Sequence, residues 1–157
     1  MNSKIGAKDV INLGIFTVIY FGIGAALSLL VSIPIMVPFF PAVWALINGT
    51  VFMLYTTKVE KFGLVTLMGV LTGLLVGLTG MGFWGAPTGL AFGLLGDFIM
   101  KKGNYKSFKH NLIGYAVFSI WTSGSLIPWY FFAQDTLAKY TQGGYSADYG
   151  TQVLAYT

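Results

Sequence analysis

The chain has 157 residues, of which 55% are hydrophobic and 9% charged, with a formal net charge of +4. Soluble domains carry about 25% charged residues, so this composition excludes one and describes an integral membrane protein. Cysteine is absent, which excludes disulfides, thiolate metal sites and a cysteine nucleophile.

Lysine supplies all nine positive charges. In a membrane protein lysines sort to cytoplasmic loops, so the basic balance is no sign of nucleic-acid binding. Residues 1–9 form a short polar start carrying Lys4 and Lys8. The uncharged run that follows outlasts a signal-peptide core and has no A-x-A-like end, so the first helix is expected to stay in the mature protein.

Five spans are predicted. The first, 10–33, is long enough to cross about 30 Å of hydrocarbon at about 1.5 Å per residue. Pro34, Pro38 and Pro41 then interrupt helix formation, because each lacks a backbone donor. The second span, 39–57, is closed by Lys58, Glu60 and Lys61. The third, 62–78, leads through a glycine-rich connection containing Trp84 to a short fourth, 87–100, where Asp97 and Lys101 stand one turn apart and are expected to pair. After the basic segment KKGNYKSFKH comes the fifth span, 111–133, expected to break near Pro128. Residues 134–157 are too weakly hydrophobic to cross and read as a polar external tail. The expected fold class is therefore an all-α membrane protein: one integral domain, a polytopic bundle of five transmembrane helices.

If five helices alternate, Lys4, Lys8, Lys58, Lys61, Lys101, Lys102, Lys106 and Lys109 fall on one side and Lys139 on the other. That asymmetry puts the N terminus in the cytoplasm, with Trp44, Trp84 and Trp129 near the opposite interface. Between Phe62 and Asp97 lie two glycine ladders at four-residue spacing, Gly69, Gly73, Gly77 and Gly85, Gly89, Gly93. Each ladder makes one small-residue stripe where another backbone can approach closely. It serves either ordinary helix packing or docking of a partner subunit.

Little in the chain supports catalysis. His110 is the lone histidine, too few for a metal site. Ser119, Ser123 and Ser125 lack a G-x-S-x-G elbow, and no phosphate-binding G-x-x-x-x-G-K-[ST] loop occurs. No enzyme activity, catalytic residue, metal or cofactor is expected. Asn48-Gly49-Thr50 matches a glycosylation sequon but falls inside the second span, so Asn48 reads as an interhelical hydrogen-bonding group or a ligand contact. Asn48, Trp84, Thr88, Tyr115, Trp121, Ser123 and Trp129 are the candidates for solute binding, polar and aromatic groups toward the outer face. The alternative is an aromatic belt with ordinary packing.

The segments INLGIFTVIYF, TTKVEKFGLVTLMGVLTGLLVGLTG and KKGNYKSFKHNLIGYAVFSIWTSGSLIPWYFF resemble the Trep_Strep family, whose members are also called MptD-type S components of energy-coupling factor (ECF) transporters. The resemblance covers roughly residues 7–150. It implies a solute-capturing subunit of a bacterial plasma-membrane importer with six helices, one more than the five spans read here. Its implied partners are a vitamin-like or other small solute, a transmembrane scaffold subunit and two cytoplasmic ATPases. S components commonly dock through A-x-x-x-A on the first helix, which Gly14 with Val18 and Gly22 with Ala26 match only loosely. A function of another class, a small membrane scaffold or assembly protein without a solute, would explain the glycine ladders equally well. A stand-alone secondary carrier is disfavoured by the near absence of intramembrane ionisable residues.

Overall fold

The computed structural model describes residues 5–156, so Lys4 lies outside the described residues. Among these residues every regular element is helical. Helix α1 (Ala7–Leu27) gives way to two short 3₁₀ turns, Ser28–Ser32 and Pro34–Met36. The Ser28 hydroxyl bonds back to the Ala25 carbonyl and Pro34 opens the second turn, so side-chain competition and a missing donor stop the helix together. Pro41, tolerated in a first turn where its N–H has no partner to lose, starts α2 (Phe40–Lys58).

Helix α3 (Leu64–Val76) runs through a π-turn, Gly77–Met81, and reverses at Gly80 and Gly82, whose φ of 92° and 88° suit glycine. Helix α4 (Gly85–Lys102) returns beside it. Then follow α5 (Phe108–Ser119), a 3₁₀ run (Ile120–Leu126) and the short α6 (Ile127–Phe131). The break expected near Pro128 begins earlier. Thr122 and Ser125 each bond to the carbonyl three residues back, an alternative to the α-helical ladder.

The two ladders meet each other. A Cβ on Gly73 would lie 2.3 Å from the Gly85 carbonyl group, one on Gly89 2.4 Å from the Gly69 oxygen, and one on Gly93 2.8 Å from the Thr66 Cα. Gly77 is closed by the Phe83 ring, where a Cβ would come within 2.3 Å. All six candidate docking glycines, Gly69, Gly73, Gly77, Gly85, Gly89 and Gly93, are therefore buried inside the chain and present no free face to a partner.

Ion pairs gather two connections and the start of α1 at one end of the bundle. Lys61 Nζ stands 2.6 Å from Asp9 Oδ2, joining the α2–α3 connection to the start of α1, and Lys106 Nζ stands 3.6 Å from Glu60. Asp97 does not pair with Lys101. Its Oδ2 instead accepts from the Gly63 and Thr66 amides (2.9 and 3.0 Å) and the Thr66 hydroxyl (2.8 Å), while Oδ1 accepts from Tyr105 (2.8 Å). A carboxylate at a helix start satisfies otherwise orphaned amides and complements the helix dipole, so Asp97 caps α3 across the helix–helix interface. Lys101 lies over the Phe62 ring instead, 4.9 Å from its centroid.

Three helices among the described residues are long and apolar enough to cross a membrane: Ala7–Ser32, Phe40–Lys58 and Leu64–Met81. The expected fourth and fifth spans do not reach that standard. Helix α4 carries many glycines with Asp97, Lys101 and Lys102, and the 108–131 run is broken into three pieces. The outer faces are nonetheless apolar: Ile11, Val18, Leu46, Leu78 and Leu95 are all more than half exposed, as lipid-facing side chains are.

The tail folds as well. Helices α7 (Ala133–Gln142) and α8 (Ala147–Tyr156) lie back on the end opposite the lysine cluster, where the Tyr149 hydroxyl donates to the Val31 carbonyl and Thr136 to that of Pro128. Trp129, Tyr140 and Tyr149 form a continuous ring contact there. Burial pushes the Tyr140 and Tyr149 phenols upward from their ordinary range.

Candidate functional site

Helix α1 turns Leu13, Thr17, Tyr20 and Gly24 inward, a stripe at helical spacing. It faces a second stripe on α2: Phe40, Trp44, Asn48, Phe52 and Tyr55. The register is antiparallel. The Trp44 ring rests on Gly24, where a Cβ would come within 1.8 Å of it, and Phe16 meets Tyr55 at 5.5 Å between centroids. Asn48 therefore lies at about the level of Tyr20. The third wall is the 3₁₀ run, which sends Trp121 edge-on to Trp44 at 5.8 Å, with Phe118 one turn before it and 6.2 Å from Tyr20.

Polar atoms are concentrated in this aromatic box and lack partners. The Thr17 and Tyr20 hydroxyls, the Trp44 and Trp121 indole nitrogens, and both amide atoms of Asn48 are buried with no hydrogen bond of good geometry, although both indoles and the Tyr115 hydroxyl stand near the Tyr20 oxygen. Each such group costs about 1–3 kcal/mol relative to a satisfied one, and a low-dielectric surround raises the stakes. A core retained for packing alone would be better served by Leu or Phe. These groups are binding capacity: three donor nitrogens from the two indoles and the amide, two hydroxyls, one carbonyl acceptor and no formal charge.

A string of cavities links the box to the aromatic end. The first, about 20 Å³, is bounded by both indoles with Phe40, Val76 and Gly85. A second of similar size lies among Val31, Val37, Trp129 and Tyr140. The third, about 130 Å³, reaches the surface at Trp84, Asp135 and Lys139. Met81 and Ser125 line all three. Twenty cubic ångströms is room for about one water. Admitting anything larger requires these walls to part, and the unbranched Met81 is well suited to re-pack.

The seven sequence candidates separate accordingly. Asn48 and Trp121 belong to the unpaired core, and Trp129 lines the path outward. Trp84 is 41% exposed, stacks on Phe132 and borders the outermost cavity. Thr88 and Tyr115 have structural duties: Thr88 donates to the Trp121 carbonyl and holds the 3₁₀ run against α4, while Tyr115 donates to the Ala45 carbonyl and packs on Phe52. Ser123 is half-buried and lines none of these cavities; Ser125 occupies the place expected of it. Trp44, read as an interfacial belt residue, is only 3% exposed and is a wall of the box.

Thr17 and Tyr20 escaped sequence reasoning because α1 is apolar on every face. The usable signal was their spacing, three residues apart and in line with Leu13 and Gly24.

No curated protein and no solved structure matches this chain. Residues 7–157 match the model of the Trep_Strep family, described as a hypothetical bacterial integral membrane protein, and the chain belongs to that family.

Proposed function

We propose that the chain is the solute-binding membrane subunit of an energy-coupling factor importer, capturing a small solute at its aromatic end for uptake powered by separate ATPases. The observation that carries this reading is the box of six unpaired buried polar atoms on Thr17, Tyr20, Trp44, Asn48 and Trp121. Its composition favours an uncharged, flat solute rich in acceptors, which aromatic walls would sandwich and indole N–H groups would orient. The chain itself does no chemistry and needs no cofactor.

In this reading helix α4 and the 108–131 run also cross the bilayer, giving five crossings. At about 1.5 Å per residue the 18 residues of α4 nearly span the hydrocarbon. Asp97 is tolerated there because four donors surround it. The lysine-rich end then faces the cytoplasm of a bacterial plasma membrane, where the scaffold subunit and two ATPases would meet it. The scaffold-protein alternative drew on the glycine ladders, which α3 and α4 use on each other.

A tagged copy purified from its native membrane in mild detergent should carry both ATPases and a scaffold subunit with it. Recovery of the chain alone, at the same yield and under conditions that preserve other importers, overturns the assignment.

A further inference from the structure

Helices α2 and α5 flank an open groove of about 690 Å³. Tyr115 bridges its floor, its ring beneath Gly49 and its hydroxyl on the Ala45 carbonyl. The walls are Leu46, Met53 and Leu54 from α2 with Leu112 and Ala116 from α5. Leu46 is 81% exposed, so the groove faces the surroundings and not the core.

Helical spacing extends both walls to the basic end. On α2 the stripe Leu46, Thr50, Leu54 arrives four residues later at Lys58. On α5 the stripe Ser119, Ala116, Leu112 arrives three residues earlier at Lys109, in a first turn whose amides have no side-chain cap. Both lysines are exposed. Both apolar walls thus lead, in helical register, to an exposed lysine at the basic end, the α5 one in a helix first turn, and each of these features favours an anion there.

We propose that this groove seats one acyl chain of an anionic phospholipid, with its phosphate held between Lys58 and Lys109. Charge complementarity selects this occupant: a phosphodiester on an apolar tail matches the slot in order and polarity. The inference rests on the reading that the lysine-rich end lies at a membrane surface.

The purified chain, stripped of lipid and offered equal phosphatidylglycerol and phosphatidylcholine of identical acyl chains in mixed micelles, is examined by native mass spectrometry. One phosphatidylglycerol should be retained in preference. Lys58→Gln or Lys109→Gln should each weaken that preference about fivefold and the double variant about 25-fold. Ala116→Phe, which fills the groove from an exposed position, should abolish retention of the bound lipid. Lys101→Gln with Lys102→Gln, equally basic but off the groove, should leave it unchanged.

An equal loss in the Lys101/Lys102 variant means general surface charge and overturns the site. So does retention by Ala116→Phe, and if that variant also loses its scaffold subunit the groove is a protein seat. Failure of the wild type to enter phospholipid nanodiscs would instead sink the membrane reading beneath it, a result distinct from loss of lipid preference.

Discussion

Two interfaces in this bundle are built on opposite terms. Between α3 and α4 the side chains are removed: glycine faces glycine, backbones touch, and Asp97 satisfies the amides and hydroxyl it meets. Between α1, α2 and the 3₁₀ run the side chains are large, aromatic and polar, and six of their polar atoms are unsatisfied. Both interfaces are buried, so burial does not distinguish them. The difference lies in hydrogen-bond satisfaction: the first interface is complete in itself, and the second has capacity for something else.

The comparison breaks most readily at the closed interface. Gly73→Leu puts a side chain where even a Cβ lies 2.3 Å from backbone, and neither helix can yield without moving the other. We expect about 3 kcal/mol or more of destabilisation, or no folded protein, in thermal unfolding in detergent. Asp97→Ala comes next. It strands the Gly63 and Thr66 amides and two hydroxyls, and should cost about 3 kcal/mol, with Asp97→Asn milder because its amide oxygen still accepts.

The open interface should respond with the opposite sign. Asn48→Leu removes two buried polar atoms that make no hydrogen bond, so it should leave stability unchanged or raise it by about 1 kcal/mol. A loss as large as that of Asp97→Ala would mean these groups are satisfied after all. The smallest effect belongs to the tail. Tyr149→Phe deletes one hydrogen bond to Val31 and should cost about 1 kcal/mol, read as faster proteolysis of the 143–146 turn.

Much of the closed interface was legible in the sequence. Four-residue glycine spacing has few uses in a helix other than close approach, and the two ladders needed only each other. The gathering of Lys61 and Lys106 at one end likewise follows from charge that hydrocarbon will not accept. What the ladders touch was less legible, since periodicity marks a stripe without naming its partner.

The open interface was harder to read for a physical reason. Helix α1 is apolar all round, so no amphipathic signal tells which stripe turns inward, and Thr17 and Tyr20 pass as incidental. Trp44 was assigned to the interface on residue type, yet Gly24 gives its ring a seat within the core. Asp97 was paired with Lys101 by local spacing, but the amides it caps lie 31 and 34 residues away, beyond what local pattern carries. The folding of the tail depends on a bond spanning 118 residues.

The central claim is that the unpaired box binds a solute. The most direct measurement is mass-spectrometric identification of small molecules extracted from the protein purified out of its native membrane, comparing wild type with Asn48→Leu and Trp121→Phe. The account predicts one uncharged, acceptor-rich compound in stoichiometric amount with the wild type and its loss from both variants, each still folded. A compound retained equally by the folded variants, or none from any of the three, would contradict it.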